Sequence, residues 1–189
     1  MNNCAQNYQN NTMNDNSMSN TQEKFLGKYR GTVVNNVDVA KQGRIQVQVP
    51  DVLGLGVSSW AMPCVPVAGI QMGMYVVPPI GAGVWVEFEQ GNSDYPIWSG
   101  CWWGSAAEVP ALAAAAPPAI DTMILQTTGQ NTLQISDVPG PTGGIMLKST
   151  TGAMILINDI GITISNGKGA TIIMAGTTVT INNGALTII

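Results

Sequence analysis

Histidine is absent from this 189-residue chain, and that omission removes a large part of the catalytic repertoire. Neither a Ser-His-Asp nor a Cys-His arrangement can be assembled without an imidazole. Charge is scarce as well: Asp, Glu, Lys and Arg make up 10% of the residues, against roughly 25% in an average soluble domain. Lys24, Lys28, Arg30, Lys41 and Arg44 are balanced by Asp38, Asp51, Glu87, Glu89 and Asp94, and the net charge is −4. No basic stripe forms, so the main source of affinity for a phosphate backbone is missing and nucleic acid is not an expected partner. Cysteine is limited to Cys4, Cys64 and Cys101, an odd set with no zinc-ligand spacing. They read as reduced thiols of a protein made in the cytoplasm. No metal or other cofactor is expected. No apolar run reaches the ~18 residues of a membrane helix. No basic stretch followed by an apolar run opens the chain, so no signal peptide is expected and any export goes through assembly or lysis.

What the chain does have is glycine, 22 residues of it, with Thr, Asn, Val and Ile frequent in the second half. That mixture favours strands and turns. The fold class expected is all-β, in four segments. Residues 1–23 hold eight asparagines and almost no aliphatic side chains; they cannot bury enough apolar area to offset their ordering entropy, and read as a disordered tail. Residues 24–104 read as short strands. Ile45, Val47 and Val49 alternate with Arg44, Gln46 and Gln48 before Pro50, the period of a half-buried strand. Val84, Val86 and Phe88 alternate with Trp85, Glu87 and Glu89 in the same way. With strands near Leu26–Val34, Met74–Val77 and Tyr95–Cys101, about five strands suit a small closed barrel of the OB type. Residues 105–121 contain a run of alanines between prolines, too short to nucleate a helix and read as a semi-extended linker.

Residues 122–189 carry an internal repeat. Met123-Ile-Leu-Gln126 returns 22 residues later as Ile145-Met-Leu-Lys148, and Leu133 to Asp137 returns as Ile155 to Asp159. Shorter strands follow at Gly161–Ile164, Ala170–Met174, Thr178–Asn182 and Ala185–Ile189. Such a period indicates a β-solenoid. Each strand offers only two or three inward apolar residues, and a lone solenoid of this size would have about three coils with open edges. Three chains about one axis solve both problems. The expected trimer core is Leu133, Ile135, Ile145, Leu147, Ile155, Ile157, Ile162, Ile164, Val179 and Ile181. A monomeric solenoid and a fibre-forming strand repeat are the competing architectures.

No group of residues points to chemistry. Glu87 and Glu89, two apart on a strand, fit a solvated outer face better than an acid–base pair. Asp137 and Asp159 close the repeats, where aspartate suits turns, and too few oxygen ligands surround them for calcium. Gly140-Pro-Thr-Gly-Gly144 leads into no helix and is not a phosphate loop. Trp60, Trp85, Trp98, Trp102 and Trp103 could stack on a base or a sugar, but fit packing better in a chain this poor in cations. Catalytic residues are therefore none.

Taken in order, these segments resemble the baseplate spikes of contractile-tailed phages and the C-terminal half of VgrG proteins of type VI secretion. Gly31-Thr-Val-Val-Asn-Asn36, Gln42 to Pro50, Ser59-Trp-Ala-Met-Pro-Cys64, Pro79 to Gly91 and Tyr95 to Gly104 are similar to the family's OB domain. Val179-Thr-Ile-Asn-Asn-Gly-Ala-Leu-Thr-Ile188 is similar to its needle tip. The resemblance spans about residues 25–189. It implies an OB-fold barrel followed by an intertwined trimeric β-helix, acting as a non-enzymatic, membrane-piercing spike in an assembled phage-tail-like particle. The partners implied are two further copies of the chain, a hub protein of the tail tube, other baseplate components, a PAAR-type tip protein and the target cell envelope. Leu186, Thr187, Ile188 and Ile189 are the expected cap-binding tip. There is no room for a lysozyme-like domain, no histidine for an apical iron site, and no hub domain ahead of the barrel. The other reading is an OB-fold carbohydrate- or ligand-binding tail module. A polysaccharide-cleaving β-helix would need a carboxylate cluster, which the sequence does not supply.

Overall fold

The computed structural model describes residues 23–189, so the expected N-terminal tail lies almost wholly outside the described residues. The chain divides after Trp102 into two compact units.

The first unit is a curled five-stranded sheet. Its strands are β1 (Tyr29–Asn35), β2 (Gln46–Gln48), β3 (Met62–Pro63), β6 (Gly83–Phe88) and β7 (Pro96–Trp102), in the order β2-β1-β6-β7-β3. Two further short strands, β4 (Ala68–Gly69) and β5 (Met72–Gly73), form a separate hairpin. The alternation read from the sequence sets the core. Ile45, Val47, Val49, Val84 and Val86 are fully buried, joined by Val33, Ala61, Phe88 and Trp98. The register slips between Val33 and Asn35 and between Val84 and Val86, and such irregularities increase local twist and curl a sheet. Two glycines permit the close approach this requires. A Cβ at Gly31 would meet Val86 Cγ2 at 2.9 Å, and one at Gly83 would meet Trp102 Cε2 at 2.6 Å.

Two sequence expectations are corrected here. Met74–Val77 is not a strand. The fifth strand is the two-residue β3, which pairs parallel with β7. Pro78 and Pro79, which lack backbone donors, follow the extended segment directly. The alanine-rich linker also contains two short helical turns, Ala106–Glu108 and Ala111–Ala114, the second entered from Pro110. Proline at a helix entrance sacrifices no intrahelical bond.

The second unit is a single eight-stranded antiparallel sheet in which every neighbour is the next strand in sequence. Its strands are β8 (Thr122–Gln126), β9 (Thr132–Ser136), β10 (Gly144–Lys148), β11 (Met154–Asn158), β12 (Gly161–Ser165), β13 (Thr171–Ala175), β14 (Thr178–Ile181) and β15 (Leu186–Ile188). Within one chain, therefore, the 22-residue repeat lies as two successive hairpins of a meander, and every ladder is formed inside the chain. At about 4.8 Å per strand, the sheet extends roughly 34 Å across its strands.

Bonds between successive turns on the same edge hold this meander. Asn131 Oδ1 accepts from the Thr150 amide at 3.1 Å, and the Thr150 hydroxyl donates to the Gly129 carbonyl. On the opposite edge Asp159 Oδ2 accepts from the Gly140 amide at 2.8 Å, and Asn158 Nδ2 donates to the Pro141 carbonyl at 3.1 Å. Asn182 Oδ1 accepts from the Thr171 amide at 3.1 Å. Asn and Asp side chains thus tie several of the turns to a neighbouring one, through hydrogen bonds rather than ion pairs.

Candidate assembly surface

Side chains alternate across a strand, so the register of the meander decides which residues share a face. One row runs Met123, Ile135, Ile145, Ile157, Ile162, Met174, Val179, Ile188. The next row on the same face runs Leu125, Leu133, Leu147, Ile155, Ile164, Ile172, Ile181, Leu186. Both rows cross all eight strands without a polar residue. All ten residues expected in a trimer core fall in them. Met123, Leu125, Ile172 and Met174 belong there too and escaped the sequence reading, although the same period of two marks each of them. Leu186 and Ile188, expected at the tip, end the two rows. Thr187 lies on the other face, and Ile189 is 95% exposed just beyond the last strand.

Among the described residues of the second unit, nothing covers this face. Eleven of the sixteen side chains are exposed, from 38% at Ile164 to 68% at Met123. The opposite face is mixed and becomes more polar along the sheet. Its middle row reads Ile124, Gln134, Met146, Leu156, Thr163, Ile173, Thr180, Thr187. Near β9 its polar groups bond to one another, with Thr122 Oγ1 and Ser136 Oγ 2.9 Å apart and Thr132 Oγ1 donating to Gln126 Oε1 at 3.3 Å. Apolar rows this long and this exposed are the signature of an interaction surface. Removing the remaining exposed area from water is worth on the order of 1 kcal/mol per side chain, so the two rows together are the largest unrealised source of stability in the unit.

In the first unit, polar and aromatic side chains largely pair with one another. Asp38 ties down the loop after β1: its carboxylate accepts from the amides of Ala40, Gln42 and Arg44. The Arg44 guanidinium reaches the same carboxylate through Nε at 3.1 Å and Nη2 at 2.7 Å. The Arg44 side-chain bond, followed by those amide bonds, holds the Asp38 carboxyl well below the usual carboxylate range. Arg44 also lies over Trp60, 5.4 Å from the ring centroid. Arg30 lies over both Trp85 and Trp102, at 5.7 Å and 5.1 Å, covering rings that a sugar would otherwise stack on. Trp98 is buried and donates through Nε1 to the Gly43 carbonyl at 3.1 Å. Glu87 pairs with Lys28 at 2.9 Å on the solvated outer face, and Glu89 begins the turn after β6. Asp159 serves a turn, as described above. Asp137 donates its backbone N–H to the Asp121 carbonyl at 3.0 Å. Cys64 and Cys101 are exposed free thiols. Among the described residues no three His, Cys, Asp or Glu side chains converge as metal ligands, and no helix is long and apolar enough to cross a membrane.

Two family models match the chain. Residues 29–103 match the type VI secretion system/phage-baseplate injector OB domain. Residues 122–187 match the phage baseplate V C-terminal trimerisation domain. No curated protein matches the chain significantly.

Proposed function

Because the chain belongs to the phage baseplate V family, with an injector OB domain followed by a trimerisation domain, we propose that it is the piercing spike of a contractile injection machine. Both matched domains are structural baseplate domains, and together they support a trimeric baseplate component of a phage-tail-like particle.

In this reading three meanders stand as three walls around one axis, each turning its two apolar rows inward. The proposed core is Leu133, Ile135, Ile145, Leu147, Ile155, Ile157, Ile162, Ile164, Val179 and Ile181, extended by Met123, Leu125, Ile172 and Met174. The right-handed twist of each sheet winds the three walls into a β-helix. The observation that carries the reading is the pair of unbroken apolar rows on a single-layer sheet that no described residue of the second unit covers. A narrow column of this kind, filled with aliphatic side chains and laced at its turns, is stiff along its axis. It concentrates the force of sheath contraction on a small area of target envelope without bond-breaking chemistry. A hub protein beneath the barrel receives residues 1–23, and a PAAR-type cap covers Leu186, Thr187, Ile188 and Ile189, where the two rows open to solvent.

Absolute mass by light scattering, on the full chain and on a fragment ending at Ala119, tests the assembly. The expected result is a trimer that loses its third-order assembly with its second half. A monomer at micromolar concentration overturns the spike. For the cap, deletion of Ala185 to Ile189 is expected to abolish capture of a PAAR-type protein while leaving the trimer intact. Undiminished capture removes the tip assignment.

A further inference from the structure

From Val52 to Val86 the chain carries no charged residue, although the rest of the first unit is studded with them. The middle of this stretch is the β4–β5 hairpin, whose turn is Ile70-Gln71. Two-residue hairpin turns favour Gly, Asn or Asp; here an isoleucine stands at the tip, 98% exposed, with Gln71 held at φ 57°. Local turn chemistry does not account for that choice. Met72, Met74, Tyr75 and Val76 are exposed beside it. Between this hairpin and the barrel lies a cavity of about 510 Å³, lined by Met62, Val67, Met72, Tyr75, Val77 and Trp98 among others. Ile70 itself does not line it. The unit thus presents an apolar knob and an apolar recess that do not fill one another.

We propose that Ile70 of one copy inserts into the cavity of the next, so that three barrels close into a ring of head-to-tail hairpin contacts. The inference rests on the trimer described above and adds a second interface, at a different place in the chain. A second copy is the occupant because both halves of the contact are on this chain. A contact between unlike patches closes into a ring when the rotation relating the copies closes, and a threefold axis supplies that rotation. Tethering to a common trimerisation domain raises the effective concentration of the barrels to about the millimolar range, so a contact too weak to assemble free barrels forms readily. Absence of charge from Val52 to Val86 means that identical surfaces meet without like charges opposed.

The test uses the full chain with Cys4, Cys64 and Cys101 replaced by serine. Ile70→Cys is compared with Val39→Cys, which is 91% exposed on the charged loop after β1. The mass is measured first, then the rate of alkylation by a maleimide. A trimer in which Ile70→Cys reacts about tenfold or more slowly than Val39→Cys is the expected result, since reaction then waits on local opening. Adding Ala68→Trp, which fills the recess, should restore fast labelling. Equal rates in a trimer overturn the ring contact and leave the trimer standing, as does slow labelling that survives Ala68→Trp. A monomer overturns both.

Discussion

The barrel and the meander are built largely from the same aliphatic residues, yet their interiors are in opposite conditions. Ile45, Val47 and Val86 are fully buried inside one chain, whereas Leu147, Ile155 and Ile157 stand 40–49% exposed. Two physical differences account for this. Irregular register and small residues curl the barrel sheet until one face closes on itself, and wide side chains such as Phe88 and Trp98 fill the space enclosed. The meander has regular five-residue strands through most of its length, and no Phe, Tyr or Trp occurs after Trp103. Without a wide filler or a second layer it cannot make a core alone. Its narrow, repeating rows of Ile and Leu suit packing against identical rows. One region therefore folds by closing its own sheet, and the other completes itself only by association.

Substitutions that separate closure from association sharpen this contrast, and the largest effect is expected at Ile135. Ile135→Asp places three carboxylates at one level of the proposed core, where unpaired burial of charge is prohibitive. Soluble trimer should disappear in light scattering while the barrel's tryptophan fluorescence stays native. An intact trimer with unchanged melting breaks the contrast. Next come paired truncations. Ile45→Ala should cost roughly 2–5 kcal/mol by denaturant titration, independent of protein concentration. Ile155→Ala should shift the unfolding midpoint in a way that grows on dilution, because its burial belongs to the oligomer. If both titrations ignore concentration, the meander is not completed by other copies.

A smaller effect belongs to the barrel alone. The Asp38 carboxyl is depressed in the folded state chiefly by its bond to Arg44, so the unfolded chain binds the proton more tightly. Stability from this group is therefore present above the ordinary carboxylate range of about 4 and is lost as pH falls below it. Thermal melts between about pH 6 and pH 3 should show Asp38→Asn with lower stability at the upper end and a flatter fall. A slope equal to that of the parent chain contradicts the assignment. The smallest change is expected from Glu87→Gln, which removes the half-exposed pair with Lys28. It should cost less than about 1 kcal/mol, and the difference should vanish in high salt.

Much of this was legible in the chain. Alternation at Ile45, Val47 and Val49, and at Val84, Val86 and Phe88, marks both buried faces of the barrel, because a period of two is a local property of the backbone. The same period, repeated after 22 residues, marks the apolar rows of the meander. The two-residue strand Met62–Pro63 was not legible: it has no period, and exists only because β7 lies beside it. The segment Met74–Val77 looks like a strand, but beyond the bond from the Met74 N–H to the Val67 carbonyl it forms no ladder before two prolines. Leu186 and Ile188 are expected at the tip because the segment Val179 to Ile188 resembles the family's needle tip. Only the register, continued through β14, shows that they also end the rows.

By itself, then, the sequence determined an all-β chain without histidine chemistry, its strand faces, its repeat and its need for company. Those properties follow from composition and from the two-residue period of an extended backbone. Tertiary structure alone decided that the repeat lies as one meander rather than coiling within the chain, and that sixteen apolar side chains align in two rows across eight strands. It also decided that a hairpin tip and an empty recess stand apart on the barrel. Each of these depends on which strands pair and in what register. Backbone pairing between distant segments is not written in any local pattern.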